Sequence, residues 1–256
     1  MYNSKPLRVE KIYPGCNFCW IDDEKIVFGG GVYQPSNEIL DMYIVSVLTM
    51  QVRRLPDLLS SHADYCLVYT NSSLYAISGY NYKSMMTSAV EKCSLFSPWE
   101  YCKSIQVPRS FACAIGYLKV IYVFGGNTGY RSEAITNLIE AYDIENNSWS
   151  FLNLVLPLPL NKLGFTWISE STVLFFGGEH KTGFNFYTFE LDMSLMKYTE
   201  KDNLPIRKEG WLFVFEGKCY QNNVYAIESD FEQVVVRENN IWRVQKLKPD
   251  FIMNRK

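Results

Sequence analysis

A repeat of about fifty residues constrains the fold of this chain more than any other feature. Across the 256 residues, an apolar run that ends in two small residues recurs four times, and a degenerate fifth copy follows. The first residue of each pair is, in order, Gly29, Ser78, Gly125, Gly177 and Glu228. The steps between copies are therefore 49, 47, 52 and 51 residues. A fixed period of this length indicates a repeat architecture in which neighbouring units bury each other's apolar faces.

Three further columns of residues keep the same period. A bulky residue follows each pair by about twenty positions: Met50, Trp99, Trp149, Met196 and Trp242. A proline follows each bulky residue: Pro56, Pro108, Pro157, Pro205 and Pro249. An apolar segment precedes each pair and contains Cys19, Cys66, Cys113, Phe165 and Trp211. We expect the bulky residue to pack between units as an apolar wedge, and the proline to end the last strand at a sheet edge.

Each unit is predicted to contain four short strands. In the third copy these are residues 111–116, 120–124, 139–142 and 148–152, joined by polar or Gly/Pro-containing segments. No amphipathic helical pattern separates the strands, which excludes a βαβ fold. The sequence therefore predicts a single all-β domain, 1–256, built as a β-propeller of about five four-stranded blades. The repeats are 14–56, 57–107, 108–157, 158–205 and 206–249.

The N-terminal segment 1–13 leaves the closure of the propeller open. Residues 7–12 alternate apolar and polar side chains, as a fourth strand would. Five complete units plus this strand contain one strand more than a five-bladed propeller needs. The sequence is consistent with five blades and an extra edge strand, with an incomplete six-bladed propeller, or with part of a longer chain.

The third copy resembles the kelch motif. It has Pro108-Arg109-Ser110, an apolar run into Gly125-Gly126, Tyr142-Asp143 and a spaced Trp149. The resemblance extends from about residue 14 to residue 249, with departures at Ser78, at Met196 and at Glu228-Ser229. It implies a β-propeller that binds other proteins, as a substrate receptor in ubiquitin ligation, a cytoskeletal adaptor or a signalling scaffold.

Candidate catalytic and metal-binding residues are few. The two histidines, His62 and His180, lie in different units, which argues against the His-and-Tyr copper site of kelch-like oxidases. The pair Cys16 and Cys19 has no second pair to complete a zinc site, so we interpret it as buried apolar packing. Gly29-Gly30-Gly31 ends a strand in register with the other copies and is interpreted as a turn. We predict no cofactor, no metal and no enzymatic activity.

The predicted function is the binding of a partner protein by a rim of loops. The resemblance implies that this rim is formed by the loops after the glycine pairs and by the segments that enter each first strand. The first set contains Tyr33, Tyr80, Tyr82, Lys83, Tyr130, Arg131, His180 and Lys181, and the second contains His62, Arg109, Asn161, Arg207 and Lys208. Tyrosine and arginine are enriched at interface hot spots. We therefore expect an acidic or extended segment of the partner to bind there.

Composition limits the other classes of partner. The formal net charge is −2, and the charges are scattered, which argues against a nucleic-acid-binding surface. No apolar run reaches the 18 residues of a membrane span, and seven cysteines without a disulfide spacing favour the cytoplasm. Two alternatives stay open: an enzyme acting on carbohydrates or other small molecules, and a structural subunit of a larger assembly.

Overall fold

Every regular element described in the computed structural model is a β-strand. The residues described are 12–33, 39–81, 85–129 and 134–204, and in the fifth repeat 219–220, 223–227, 233–238 and 241–246. Within these ranges no helix is long and apolar enough to cross a membrane. The predicted extra strand falls mostly on residues 1–11, outside the described residues.

The strands form five four-stranded antiparallel sheets, one per repeat, which we call blades 1 to 5. Blade 1 contains β1 (Asn17–Trp20), β2 (Lys25–Gly29), β3 (Met42–Ser46) and β4 (Val52–Leu55). Blade 2 contains β5 (Cys66–Thr70), β6 (Ser73–Ile77), β9 (Val90–Ser94) and β10 (Glu100–Tyr101), with a short hairpin of β7 (Tyr80–Asn81) and β8 (Met85–Met86). Blade 3 contains β11 (Cys113–Tyr117), β12 (Val120–Phe124), β13 (Ile139–Asp143) and β14 (Ser148–Phe151).

The last two blades repeat this order. Blade 4 contains β15 (Gly164–Trp167), β16 (Thr172–Phe176), β19 (Tyr187–Asp192) and β20 (Lys197–Asn203), with a hairpin of β17 (Glu179–His180) and β18 (Gly183–Phe184). Blade 5 contains β21 (Cys219–Tyr220), β22 (Asn223–Ile227), β23 (Gln233–Glu238) and β24 (Ile241–Lys246). The predicted all-β propeller fold is confirmed. The chain divides into two compact units, Met1–Leu156 with blades 1 to 3 and Pro157–Lys256 with blades 4 and 5.

Neighbouring blades of the first unit bury their apolar faces against each other. One cluster joins blades 1 and 2 and includes Val27, Leu74 and Trp99. A second cluster joins blades 2 and 3 and includes Ile77 and Ile121. Because blade 2 packs on both faces, its second strand is apolar on both sides, as in the fully buried Leu74–Ile77 run.

The wedge prediction is confirmed for two tryptophans and is wrong for the methionines. Trp99 is buried, and its indole N–H donates to the Pro56 carbonyl at 2.9 Å; Trp149 packs on the second cluster. In blades 1 and 4, the residues that pair with the third strand at the position of the tryptophan are Val52 and Tyr198. Met50 and Met196 do not occupy this position. Counting from the glycine pair misplaced the column because the intervening loops differ in length.

The cysteine column is also shifted in blade 1. Cys66 and Cys113 pair with the last residues of the second strands, Ile77 and Phe124, whereas Cys19 pairs with Val27 two positions earlier in β2. All three cysteines are nevertheless buried, as predicted, and none of the three forms a disulfide.

Candidate functional site

The long connections of each described blade lie at one end of its sheet. In blades 1 to 4 the second and third long strands are joined by residues 30–41, 78–89, 125–138 and 177–186. The other two connections within each blade are turns of two to five residues. Since the strands are antiparallel, the segment that enters the first strand lies at the same end as the long loop. We call this end the loop end and the opposite end the turn end.

Backbone hydrogen bonds join the long loops to the entering segments. The Gly31 amide donates to the His62 carbonyl at 2.8 Å, and the Gly79 amide donates to the Arg109 carbonyl at 2.9 Å. These bonds join the loop of one blade to the entry of the next within the first unit. In blade 4, the Asn161 and Glu179 backbones pair in the same manner as Ser110 and Asn127 in blade 3. The two loop sets that the sequence assigns to one rim are therefore in contact in these blades.

The second residue of the small pair must be glycine because the entering segment approaches it closely. Gly79 and Gly178 have φ angles of +100° and +88°. A Cβ at Gly79 would lie 2.6 Å from the Ala63 carbonyl oxygen, and one at Gly178 would lie 2.6 Å from that of Asn161. The first residue of the pair is less restricted, since Ser78 occupies it with φ +56°. This difference explains why blade 2 lacks only the first glycine of the motif.

Arg109 was predicted to be an exposed rim residue, and this is wrong. Its side chain is fully buried and forms an ion pair with the equally buried Glu140. Glu140 also accepts hydrogen bonds from the Gln106 and Val107 amides at 3.0 and 3.2 Å. Burial lowers the pKa of Arg109, and the neighbouring carboxylate opposes that effect. The arginine therefore fixes the entering segment of blade 3 to its third strand.

His62, predicted to be exposed as well, is the counterpart of Arg109 in blade 2. Its ring is 0% exposed and lies 3.3 Å from the Glu91 carboxylate. Glu91 accepts hydrogen bonds from the Leu59 and Ser60 amides, both at 2.8 Å, in the arrangement that Glu140 has in blade 3. Burial alone would raise the pKa of Glu91, but hydrogen bonds from His62, Ser60 and the Leu59 amide lower it below its ordinary value.

Ser60, His62 and Glu91 do not have the geometry of a catalytic triad. Both the Ser60 hydroxyl and the Glu91 carboxylate contact the same ring nitrogen, Nε2, at 3.2 and 3.3 Å. The other nitrogen, Nδ1, lies 2.6 Å from the Ser78 carbonyl oxygen. A triad needs the acid on one nitrogen and the nucleophile on the other. The buried cluster is structural.

In blade 4 the same two positions are apolar. The strand register places Phe189 where Glu140 lies in blade 3, and Leu160 where Arg109 lies. Both residues are buried. Blade 4 therefore has two buried apolar residues at the positions that form the ion pair in blade 3. The sequence signal that was missed is an acidic residue, Glu91 or Glu140, inside an otherwise apolar third strand.

The remaining described rim residues lie at the surface. Tyr33 is 40% exposed, and its ring meets that of Tyr13 edge-on at 5.4 Å. Tyr80 and His180 are half-buried, and Lys181 is exposed. In the hairpin of blade 4, the Thr182 amide donates to His180 Nδ1 at 3.3 Å. Six of the predicted rim residues lie outside the described residues: Tyr82, Lys83, Tyr130, Arg131, Arg207 and Lys208.

Asn161 carries an unsatisfied acceptor at the loop end of blade 4. Its side chain is 5% exposed, and its buried Oδ1 has no hydrogen-bond partner among the described residues. Beside it, Lys162 and Glu179 form a largely buried ion pair at 3.1 Å. Buried acceptors normally have donors. Because the oxygen is buried, this unmet acceptor lies inside the protein and not on the surface that a partner would contact.

The cysteines of this end are poorly suited to metal or redox chemistry. Burial raises the pKa of the Cys16 thiol to about 11 and that of Cys66 to about 12, so both stay protonated at neutral pH. Among the described residues, no three His, Cys, Asp or Glu side chains come close enough to hold a metal ion.

Comparisons with known proteins point to one family. The Kelch motif family matches residues 108–153, the third repeat. A protein of Arabidopsis thaliana that is named as an F-box/kelch-repeat protein is 29% identical over 104 residues, which cover 41% of this chain and 41% of that protein. The matched segment thus spans about two fifths of the relative's length.

Proposed function

From the premise that this chain is a kelch-repeat β-propeller protein, we propose that it is a non-enzymatic interaction module that binds a segment of a partner protein at the loop end. The observation that carries the proposal is the placement of the connections. The loops of ten to fourteen residues all lie at the loop end of their blades, whereas the turn end has only short turns. Long loops on a rigid sheet are the usual location of binding residues.

The side chains described at the loop end are suited to a polar, extended segment. Tyr33 and Tyr13 offer amphipathic aromatic surface, and such residues anchor many protein interfaces. In blade 4, exposed Lys181 offers a positive charge. Within each unit taken by itself, an extended partner segment with acidic side chains would suit these groups. We place this activity in the cytoplasm, on the cysteine content of the sequence.

The proposal is tested by capturing partners with the purified chain and measuring the affinity of the partner that mass spectrometry identifies. One variant combines Tyr33→Ala with Tyr80→Ala, and a second combines His180→Ala with Lys181→Ala. The matched control, Glu170→Ala, removes an exposed side chain at the turn end of blade 4. We expect at least one loop-end variant to weaken binding by tenfold or more at an unchanged melting temperature, and the control to bind as the wild type does.

Two results would contradict the proposal. If both loop-end variants keep full affinity, the partner binds elsewhere. If turnover of a sugar or another small molecule is found and is lost in a loop-end variant, the chain is an enzyme. The identity of the captured partner then decides between a role in ubiquitin ligation, in the cytoskeleton and in signalling.

A further inference from the structure

Three large apolar side chains occupy left-handed backbone positions at the turn end of blades 1 to 3. Met50, Phe96 and Leu118 have φ angles of +53°, +71° and +54°. They are 71%, 46% and 73% exposed. Met50 and Phe96 lie in the turns between the last two strands of blades 1 and 2, and Leu118 lies in the β11–β12 turn of blade 3.

Neither the backbone nor the packing favours these residues where they are. A left-handed conformation is unfavourable for a bulky L-residue and is favoured by glycine and asparagine. The chain uses asparagine at related positions: Asn147 occupies in blade 3 the turn position that Met50 occupies in blade 1, and Asn71 lies in the β5–β6 turn. The exposed methionine and leucine gain little from burial in return. For Met50 and Leu118, therefore, neither burial nor backbone preference accounts for the residue choice.

The three residues belong to one continuous surface of the first unit. The Arg53 guanidinium of blade 1 lies 3.8 Å from the centre of the Phe96 ring of blade 2. The Asn71 side chain of blade 2 donates to the Leu118 carbonyl of blade 3 at 2.9 Å. Neighbouring turn ends are therefore in contact across both blade boundaries. Leu48, which is 69% exposed, extends the apolar surface beside Met50.

The charges around this surface favour a basic occupant. The turns of blades 1 to 3 contain four carboxylates, at Asp22, Asp23, Glu24 and Glu145, but only one lysine, Lys119. That lysine is ion-paired with Glu145, and the neighbouring Lys25 is ion-paired with Asp22 at 2.8 Å. With Lys25 and the Arg53 guanidinium beside Phe96 included, four carboxylates face three cations, and three of the carboxylates lie together in the β1–β2 turn, where the negative charge is concentrated.

We propose that the turn end of blades 1 to 3 is a second docking surface, separate from the loop end, for a protein segment that combines apolar side chains with lysine or arginine. The apolar side chains of the segment contact Met50, Phe96 and Leu118. Its cations lie against the carboxylates of the β1–β2 turn. This surface does not depend on the function proposed for the loop end, which favours an acidic partner.

The first test uses a fluorescent sixteen-residue peptide of alternating leucine and lysine pairs, and a matched leucine–glutamate peptide. The protein variant combines Met50→Asn with Leu118→Asn. We expect wild type to bind the lysine peptide and not the glutamate peptide, and the variant to bind the lysine peptide at least tenfold more weakly. The loop-end variant Tyr33→Ala with Tyr80→Ala serves as the matched control and should bind as the wild type does.

Thermal unfolding separates docking from a structural role. Asparagine is better suited to left-handed positions, so the double variant should melt at the wild-type temperature or slightly above it. A lower melting temperature would show that Met50 and Leu118 stabilise the fold, which overturns the proposal. Equal peptide binding by wild type and variant, or no binding by wild type, would overturn it as well.

A second variant tests the charge argument without touching the strained positions. Asp23→Lys combined with Glu24→Lys should weaken binding of the lysine peptide and create binding of the glutamate peptide. If the variant still prefers the lysine peptide to the same extent, the proposal of a basic occupant is wrong. Size-exclusion chromatography is run on the same proteins. Self-association of the wild type that disappears in the Met50→Asn, Leu118→Asn variant would assign the surface to a second copy of this chain and overturn the partner assignment.

Discussion

At the scale of single residues, the glycine pair contains two positions with different physical demands. In blade 2 the first position has a left-handed backbone, and Ser78 shows that a small side chain is tolerated there. The second needs the absence of a Cβ, because a carbonyl of the entering segment lies within contact distance of it. A motif read from sequence treats both glycines alike, since it records residue types and not the approach of a neighbouring segment.

We predict that Gly126→Ala destabilises the protein more than Gly125→Ser does. A Cβ at Gly126 would lie 2.9 Å from the Ser110 carbonyl oxygen and 2.8 Å from the Ala112 Cβ, so the backbone must shift. The expected loss is about 2–3 kcal/mol for Gly126→Ala and about 1 kcal/mol for Gly125→Ser, as for strained left-handed residues. Urea unfolding measures both. Equal losses would show that the close approach does not matter.

Glu91 makes the stability of blade 2 dependent on pH. Its pKa in the folded protein lies below the ordinary value of 4.5 because His62, Ser60 and the Leu59 amide donate hydrogen bonds to the carboxylate. A lowered folded-state pKa adds stability that is fully present above the unfolded-state pKa and is lost as the pH falls through the folded-state pKa.

We therefore predict that Glu91→Gln makes the stability of the protein less dependent on pH in the acidic range. Between pH 7 and pH 5 the wild type should be the more stable protein, and the difference should shrink as the pH falls from about 4.5 towards 3. Melting temperatures measured at half-unit intervals of pH test this. A difference that stays constant below pH 4 would show that the ionised carboxylate is not the stabilising form. Glu170→Gln, at an exposed position, is the matched control.

At the scale of the elements, much of each blade could be predicted from sequence. The predicted strand 120–124 is observed as Val120–Phe124, and the predicted 148–152 is observed as Ser148–Phe151. These strands are apolar runs between turn residues, so periodicity identifies them. The wedge residues of blades 1 and 4 could not be located by counting, because the long loop between the second and third strands varies in length while the register across the last turn does not.

The predicted exposure of Arg109 and His62 was wrong for the same kind of reason. An arginine or histidine in a loop is usually exposed, and the sequence contains no direct sign that Arg109 and His62 are buried. Their partners lie 31 and 29 residues further along the chain, at Glu140 and Glu91. Only the packing of the entering segment against the third strand brings these groups together. The role of the other rim residues in binding stays a prediction.

Blades 3 and 4 have different residues at the same two positions, so the residues of blade 4 can be introduced into blade 3. Arg109→Leu alone leaves the Glu140 carboxylate buried without its partner and should cost about 3–5 kcal/mol. The double variant Arg109→Leu, Glu140→Phe copies the apolar pair of blade 4, Leu160 and Phe189, and should recover at least half of that loss. A double-mutant cycle by urea unfolding measures the coupling. Additive losses would show that the two positions do not act as a pair.

At the scale of the whole molecule, blades 1 to 4 each separate two kinds of connection. Long loops lie at one end of the strands and short turns at the other, and a five-residue strand holds the two ends about 17 Å apart. In blades 1 to 3 the loop end offers tyrosines, and the turn end offers exposed apolar side chains among carboxylates. The two proposed surfaces therefore differ in chemistry and do not overlap.

We predict that the two ends are occupied independently. At a saturating concentration of the leucine–lysine peptide, the affinity of the captured partner for the loop end should change by less than twofold, because the two ligands contact different connections of the same rigid blades. Isothermal titration calorimetry with and without the peptide measures this. The Met50→Asn, Leu118→Asn variant, which is expected not to bind the peptide, provides the matched control for nonspecific peptide effects. If the peptide displaces the partner from wild type but not from this variant, both ligands need the turn end, and the assignment of the partner to the loop end is wrong.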